Sequence, residues 1–285
     1  MLKSNPAIGG VSTAALNGGR ELQSDRGRIG QWLTSLPIAH RGLHDHSNNI
    51  PENSLAAFEN AAALGFPIEL DIHLLQDQQI AVFHDQSLKR MAGVDRQIDE
   101  ISSEEVVKFS LLDTKHQIPL LDEVLELIDG RVPLLIEIKN KGDQVGRLEK
   151  NLLQKLLRYN GEYAIESFNP LVLKWFREKA PQIVRGQLST KFKNGSRIPF
   201  PYRFLLRNLF FNKISKPDFI SYDIHCLPHI AVQRACRRRP LLGWTTKSVE
   251  DHAKAMHTCD NVIFEGYLPN SQGTAGDRLS CEEAS

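Results

Sequence analysis

The 285-residue chain carries only four cysteines, Cys226, Cys236, Cys259 and Cys281. None forms a Cys-x-x-Cys pair or stands at zinc spacing from a histidine, so a zinc module and a disulfide scaffold are excluded and free thiols in a reducing compartment are expected. The chain also lacks an excess of either charge. Lys and Arg number 35 and Asp and Glu 34, a net charge of +1, far from the basic surplus of a nucleic-acid binder. No run of about 18 apolar residues is present to span a bilayer as a helix, so no transmembrane segment is expected. The first residues lack the basic patch and apolar stretch of a secretory signal. With neither end reading as an address, a cytoplasmic location is the expectation. There is no Gly-x-Gly-x-x-Gly after a strand and no Walker-type Gly-Lys-Ser/Thr loop, which weakens a nucleotide-binding, doubly wound sheet.

What is present is ordinary globular material, 41% hydrophobic and 24% charged. The length suits one or two domains, and α/β barrels commonly use about 250 residues as one. Residues 1–30 and 272–285 show no apolar period and are expected to be poorly ordered tails, leaving 31–271 as a single domain. Within it, short apolar strands alternate with amphipathic helices. Strands are expected at 37–41, 68–73, 80–84, 134–139, 163–167, 183–188, 218–222, 241–245 and 261–265. The second and third of these are separated by about half a dozen residues, too few for a parallel crossover, so they must form an antiparallel hairpin. Helices are expected from an Asn53 cap to Leu64, from the Ser102/Glu105 capping box, and at 122–129, 145–159, after Asn169-Pro170, and at 248–257. Without the hairpin strand, eight βα-type units remain. The expected fold is therefore an α/β, distorted TIM (β/α)8 barrel with an extra hairpin and insertion after the second strand.

In a barrel, chemistry gathers at the C-terminal ends of the strands. His40 and Arg41 end the first. Glu69 and Asp71 stand i, i+2 on the second and so share a face, with Leu70 and Ile72 on the other. Glu137 and Lys139 repeat that spacing around Ile138. His84 ends the hairpin, which would carry it back over the same mouth. Taken singly, a surface acid pair, a Glu–Lys ion pair or a structural histidine would explain each. Together, three carboxylates suit a hard, oxygen-preferring cation, Mg²⁺ or Ca²⁺. Arg41 and Lys139 suit an anionic group such as phosphate. Two histidines suit an acid and a base on opposite sides of a scissile bond. Unaided, the residues point to metal-assisted cleavage of a phosphate ester.

At these residues the chain resembles the glycerophosphodiester phosphodiesterase family. The matching stretches are AHRG at 39–42, PENS at 51–54, IELDIH at 68–73, VFHD at 82–85, LIEIK at 135–139, SFNP at 167–170 and GWTT at 243–246. The resemblance implies a distorted TIM barrel that uses Ca²⁺ or Mg²⁺ to hydrolyse glycerophosphodiesters, small-molecule substrates, to an alcohol and sn-glycerol 3-phosphate. It implies His40 and His84 as the acid/base pair, Glu69, Asp71 and Glu137 as metal ligands, and Arg41 and Lys139 as phosphate contacts. It also implies Glu52 as support for the first loop, and Phe168 and Trp244 lining the glycerol and headgroup side. The nucleophile is either the neighbouring glycerol hydroxyl, through a cyclic phosphate, or water directly. Two departures concern the alcohol pocket. Thr246-Lys247 stands where the family often has Val-Asn, and the last strand ends Phe264-Glu265 rather than Thr-Asp, making Glu265 a candidate substitute for the Asp.

Three other features carry alternatives. Residues 191–216 interleave basic and aromatic side chains; they read as a helix with a basic outer face and an aromatic core face, or as a lid or a lipid-docking surface. Arg237–Arg239 reads as a cationic helix C-terminus. The stretch 86–119 is either a site-covering insertion or a polar one without a binding role. The competing functions are a lysophospholipase D and a non-catalytic phospho-ligand binder. Two proton-transfer groups are more than binding alone needs.

Overall fold

The computed structural model describes residues 29–140, 144–192 and 198–269. The tails expected at 1–30 and 272–285 therefore lie outside the described residues except for Ile29 and Gly30, and Cys281 lies outside them too. Ile29 packs beside Trp32 and Leu33. Cys226, Cys236 and Cys259 are free thiols.

Nine strands form one sheet: β1 (Ile38–Ala39), β2 (Ile68–Leu74), β3 (Ile80–Val82), β4 (Leu134–Ile138), β5 (Tyr163–Ser167), β6 (Arg185–Ser189), β7 (Phe219–Asp223), β8 (Leu241–Thr246) and β9 (Asn261–Phe264). Eight of them pair in parallel, and β1 bonds both β2 and β9, so the sheet closes on itself. The ninth, β3, pairs antiparallel with β2 through Ile72↔Val82 and Leu74↔Ile80. The expected distorted TIM barrel is what forms. The distortion has a local cause. β1 is two residues long and touches β2 only at Ala39↔Ile68. The upper edge of β2 would be left unpaired, and β3 takes it; Phe83 N–H extends the ladder to the Asp71 carbonyl at 2.9 Å.

Alternation along the strands sorts the side chains into two layers. Ile68, Leu70 and Ile72 of β2, with Leu134, Ile136 and Ile138 of β4, face outward into the core beneath the helices. Leu135, Ala164, Val184, Phe219, Leu242 and Ile263 face inward and fill the lower barrel, plugged by Trp32 and Leu33 of the helix Trp32–Ser35. Asn261 ties that plug down by donating from Nδ2 to the carbonyls of Leu33 at 3.0 Å and Leu36 at 2.6 Å.

Some sequence expectations shift. The first strand stops at Ala39 rather than Arg41, and the hairpin strand stops at Val82 rather than His84, so His40, Arg41 and His84 sit on turns just past strand ends. The helix Leu55–Ala63 is capped by Ser54, whose Oγ accepts from Ala57 N–H, and not by Asn53. Ser102 and Glu105 form the expected capping box. Arg239, of the three arginines, donates to the Ala235 carbonyl at the end of helix Ile230–Ala235, at 3.4 Å. The 86–119 stretch is not simply polar: Leu88, Met91, Ile98, Ile101, Val106, Leu111 and Ile118 form a small core of their own against Phe83 and Ala81.

Phe58, fully buried under the helix layer, and Phe200, 68% exposed, make opposite demands on packing. Phe58→Ala is expected to cost about 3–5 kcal/mol in urea unfolding, whereas Phe200→Ala stays within about 0.5 kcal/mol. Equal losses would contradict this layering.

Candidate active site

Parallel register builds the site. Asp71 pairs with Glu137 across β2–β4, and Glu137 with Glu166 across β4–β5. Paired residues in a sheet point the same way, so these three carboxylates enter the barrel at one level. Glu69 lies two residues below, level with Leu135. All four are buried. One ligand oxygen from each of Glu69, Asp71 and Glu137 can be chosen so that all lie within 4.8 Å of one another.

Cations answer this crowding. Lys139, two residues beyond Glu137, extends Nζ to within 2.6 Å of Glu137 Oε1 and 2.9 Å of Asp71 Oδ1. Arg41 reaches Asp71 from Nε at 3.4 Å and Glu52 from Nη1 at 2.6 Å. Its backbone is left-handed (φ 56°), as is that of Gly42 (φ 79°). This double reversal turns Arg41 N–H onto Glu69 Oε2 at 2.9 Å. A side chain at Gly42 would meet the Ala57 backbone at 2.8 Å, so only glycine lets the loop close onto the first helix.

Burial and crowding are both visible in proton affinity. Burial, with Asp71 and Glu137 as neighbours, pushes Glu69 well above the usual carboxylate range. Burial pushes Glu137 up to about 7 against the opposing pull of Lys139. Burial likewise pushes Glu166 up to about 8, although Ser221 Oγ donates to it at 2.5 Å. Burial alone would raise Asp71 too, but Lys139, His84 and Arg41 hold it well below.

Both predicted histidines stand at the mouth, each with Nδ1 tied to a carboxylate. His40 Nδ1 lies 2.5 Å from Glu265 Oε2, and its Nε2 lies 3.9 Å from Glu69. His84 Nδ1 lies 2.6 Å from Asp85 Oδ1. In each ring a carboxylate at Nδ1 selects the Nδ1–H tautomer and leaves Nε2 bare. Burial is the largest influence on both and lowers their pKa. Behind His84, the buried His73 donates from Nε2 to its carbonyl at 3.1 Å, and burial holds His73 at about 4. Asp85 is in turn held by Arg90 Nε at 2.6 Å, and Arg90 Nη2 reaches Glu52 at 2.7 Å. A chain of charge thus runs from His84 through Asp85, Arg90, Glu52 and Arg41 to Asp71.

Phe168 and Trp244 meet edge-on, 5.7 Å apart, on the wall of the same cavity of about 680 Å³. That cavity also reaches His40, Arg41, His84 and Lys139. Of the candidate site residues, all but the fully buried Asp71 line this cavity. The two departures prove to be partners: Lys247 Nζ lies 2.6 Å from Glu265 Oε1. Sequence reasoning missed four contributors. Asn53, read as a helix cap, instead donates from Nδ2 to Asp71 Oδ2 at 2.9 Å. Glu166 has an apolar neighbour on one side only, Ile165, with Ser167 on the other, a weaker signal than that of Glu137 between Ile136 and Ile138. Asp85 adjoins a candidate residue, but Arg90 lies in the insertion and had no local signal.

Polar groups of this kind converging above a plugged α/β barrel define the mouth of a barrel hydrolase. The chain belongs to the Glycerophosphoryl diester phosphodiesterase family, whose model matches residues 40–265. It is 35% identical over 166 residues to a glycerophosphodiester phosphodiesterase of Caldanaerobacter subterraneus subsp. tengcongensis, covering 55% of this chain and 67% of that one. It is 34% identical over 146 residues to a human lysophospholipase D, covering 47% and 44%. Among solved structures it resembles an Oleispira antarctica phosphodiesterase in complex with the product sn-glycerol-3-phosphate. That likeness has a TM-score of 0.68 at 20% identity and covers 85% of this chain and 95% of that one. A glycerophosphodiester phosphodiesterase of Thermotoga maritima follows with TM-score 0.62 at 23% identity, over 80% and 94%.

Glu52 is held at about 2, because the pull of Arg90 and Arg41 exceeds the upward push of burial. Its folded pKa is depressed from 4.5, so its contribution is complete above pH 4.5 and is lost as pH falls through about 2. At pH 7 the Glu52→Gln variant is expected to be less stable by up to about 3 kcal/mol. The gap to the parent should close in urea titrations repeated toward pH 2. A gap independent of pH would show that charge is not what Glu52 contributes.

Proposed function

We propose that the chain is a divalent-metal-dependent enzyme that hydrolyses glycerophosphodiesters to sn-glycerol 3-phosphate and an alcohol. The observation carrying this reading is the pair of histidines at one mouth, each clamped at Nδ1 by a carboxylate and bare at Nε2. A binding barrel has no need of two such groups.

The donor set fits a hard cation. Glu69, Asp71 and Glu137 offer only oxygen, and their ligand atoms lie close together. Bound there, Mg²⁺ or Ca²⁺ would polarise the phosphoryl oxygens and offset the carboxylates. Arg41 and Lys139 hold the non-bridging phosphate oxygens in register with that site. One histidine takes the proton of the attacking hydroxyl at Nε2. The other, carrying a proton at Nε2, delivers it to the departing alcohol oxygen. Glu265 and Asp85 keep both rings in the orientation and tautomer that these transfers need. The attacking hydroxyl is the neighbouring glycerol oxygen or water, and a cyclic glycerophosphate trapped during turnover would select the former. Phe168 and Trp244 give the glycerol and headgroup an apolar wall. Glu52 supports the loop by binding Arg41.

The test is release of sn-glycerol 3-phosphate from glycerophosphocholine and glycerophosphoethanolamine. A chelator should abolish it, and Mg²⁺ or Ca²⁺ should restore it. His40→Ala and His84→Ala should each lose roughly 100-fold or more in kcat, with urea midpoints near that of the parent. Release that is indifferent to the chelator, or that survives both substitutions, would refute the proposal.

A further inference from the structure

Helix Phe200–Arg207 is expected from the sequence to have an aromatic core face, yet it buries none of its residues. It carries two apolar faces instead. Tyr202 and Leu206 stand i, i+4 on one face. They line a cavity of about 760 Å³ that also reaches His84 and Lys139, so the helix stands at the edge of the mouth. Phe200, Arg203, Phe204 and Arg207 follow at i, i+3, i+4 and i+7 and share the opposite face. There rings and cations alternate in contact. The Arg203 guanidinium lies 5.8 Å from the centre of the Phe200 ring, and that of Arg207 lies 5.5 Å from the centre of Phe204. Phe210, just past the helix, stacks on Phe204 at 6.1 Å and lengthens the stripe. These three phenyl rings are between 42% and 68% exposed.

Neighbouring helices extend the apolar rim. In a barrel of this kind each helix begins at the end where the preceding strand finishes, which is the mouth. Helices Pro170–Lys179 and Ile230–Ala235 begin there with Leu171 and Ile230, both exposed.

Charge distinguishes the occupants of such a surface. Between Thr190 and Lys216 the sequence has seven Lys and Arg and no Asp or Glu, although the whole chain is only +1. The stretch that bears the exposed rings is therefore the cationic outlier of a near-neutral chain. Apolar surface left in water costs roughly 25 cal/mol per Å², and a contiguous exposed run of it marks a contact surface. A second copy meeting the stripe across a two-fold axis would set each arginine against its own equivalent. An anionic bilayer matches both components. The phenyl rings enter the boundary between headgroups and acyl chains, and the cations pair with lipid phosphates. We propose that this stripe docks the protein peripherally on anionic bilayers, holding the mouth beside the headgroup layer. Among the described residues no helix is long and apolar enough to cross a membrane. The docking does not depend on the reaction proposed above.

Co-sedimentation of the full chain with vesicles tests it. Phosphatidylcholine vesicles are compared with vesicles that also contain phosphatidylglycerol, at low and at high salt. The parent is expected to sediment with the anionic vesicles at low salt, to stay in solution with the neutral ones, and to be released by high salt. Arg207→Gln should weaken binding about fivefold, the worth of one cation at such a surface. Phe200→Ala should weaken it about tenfold. Urea midpoints near that of the parent certify that both variants are folded, and their turnover of glycerophosphocholine without vesicles should equal the parent's. Equal sedimentation with neutral vesicles, or none with either kind, would overturn the proposal. So would anionic binding that survives both substitutions undiminished, which would place the contact elsewhere. A concentration-dependent dimer that Phe200→Ala dissolves, with no vesicle binding, would assign the stripe to a second copy and overturn it too. Absence of turnover in the parent would count against the proposed reaction and not against the docking.

Discussion

The mouth of this barrel is governed by like-charge crowding. Parallel pairing without slip puts Asp71, Glu137 and Glu166 side by side at one height, with Glu69 beneath. Carboxylates this close and this dry cannot all ionise without compensation. Lys139 and Arg41 supply part of it, and both require unusual placement. Lys139 threads between two acids. Arg41 adopts a left-handed backbone, beside a glycine no other residue can replace. Two cations face four acids, and burial, with like charge as a lesser cause, displaces Glu69, Glu137 and Glu166 upward. A divalent cation among Glu69, Asp71 and Glu137 would offset their charge without rebuilding the sheet.

The irregular parts of the fold serve the same centre. Because β1 is so short, β2 has a free upper edge, and the hairpin strand that covers it ends at His84. Because the hairpin must be supported, the 86–119 insertion builds its own small core behind it. That insertion delivers Arg90 to both Asp85 and Glu52. One truncated strand therefore accounts for the position of a histidine, for its carboxylate partner's restraint and for the loop that carries Arg41.

Period-two alternation made the barrel and its acids legible in the sequence. Apolar residues at Leu70, Ile72, Ile136 and Ile138 left no room on the outer face, so Glu69, Asp71 and Glu137 had to point inward. Glu166 obeys the same logic between Ile165 and Ser167 and escaped because no second charged residue marked its strand. Asn53 escaped for a different reason. Asn and Ser are both good caps, and only the three-dimensional position of Asp71 decides that Ser54 caps while Asn53 turns inward. Arg90 was illegible in principle: thirty-eight positions separate it from Glu52, and no local pattern encodes such a contact. The helix Phe200–Arg207 misled in the opposite direction. Its amphipathic spacing is real, but spacing states that a face is apolar and not that the protein itself covers it.

The paired departures at Lys247 and Glu265 bear on how such a site tolerates change. A histidine that exchanges protons at Nε2 needs an acceptor at Nδ1, and a carboxylate one methylene longer than Asp reaches that position only if its own orientation is fixed. Lys247 fixes it, binding Oε1 while Oε2 faces His40. Burial alone would raise Glu265, yet His40, His44 and Lys247 together hold it well below the usual range. It therefore stays ionised and acceptor-only through any pH at which His40 could exchange a proton. The longer acid and the added cation are a single substitution in physical terms: either alone would leave a mobile carboxylate or an unpaired cation at the rim. Together they fix the orientation of the His40 ring and form part of the same cavity wall as Trp244.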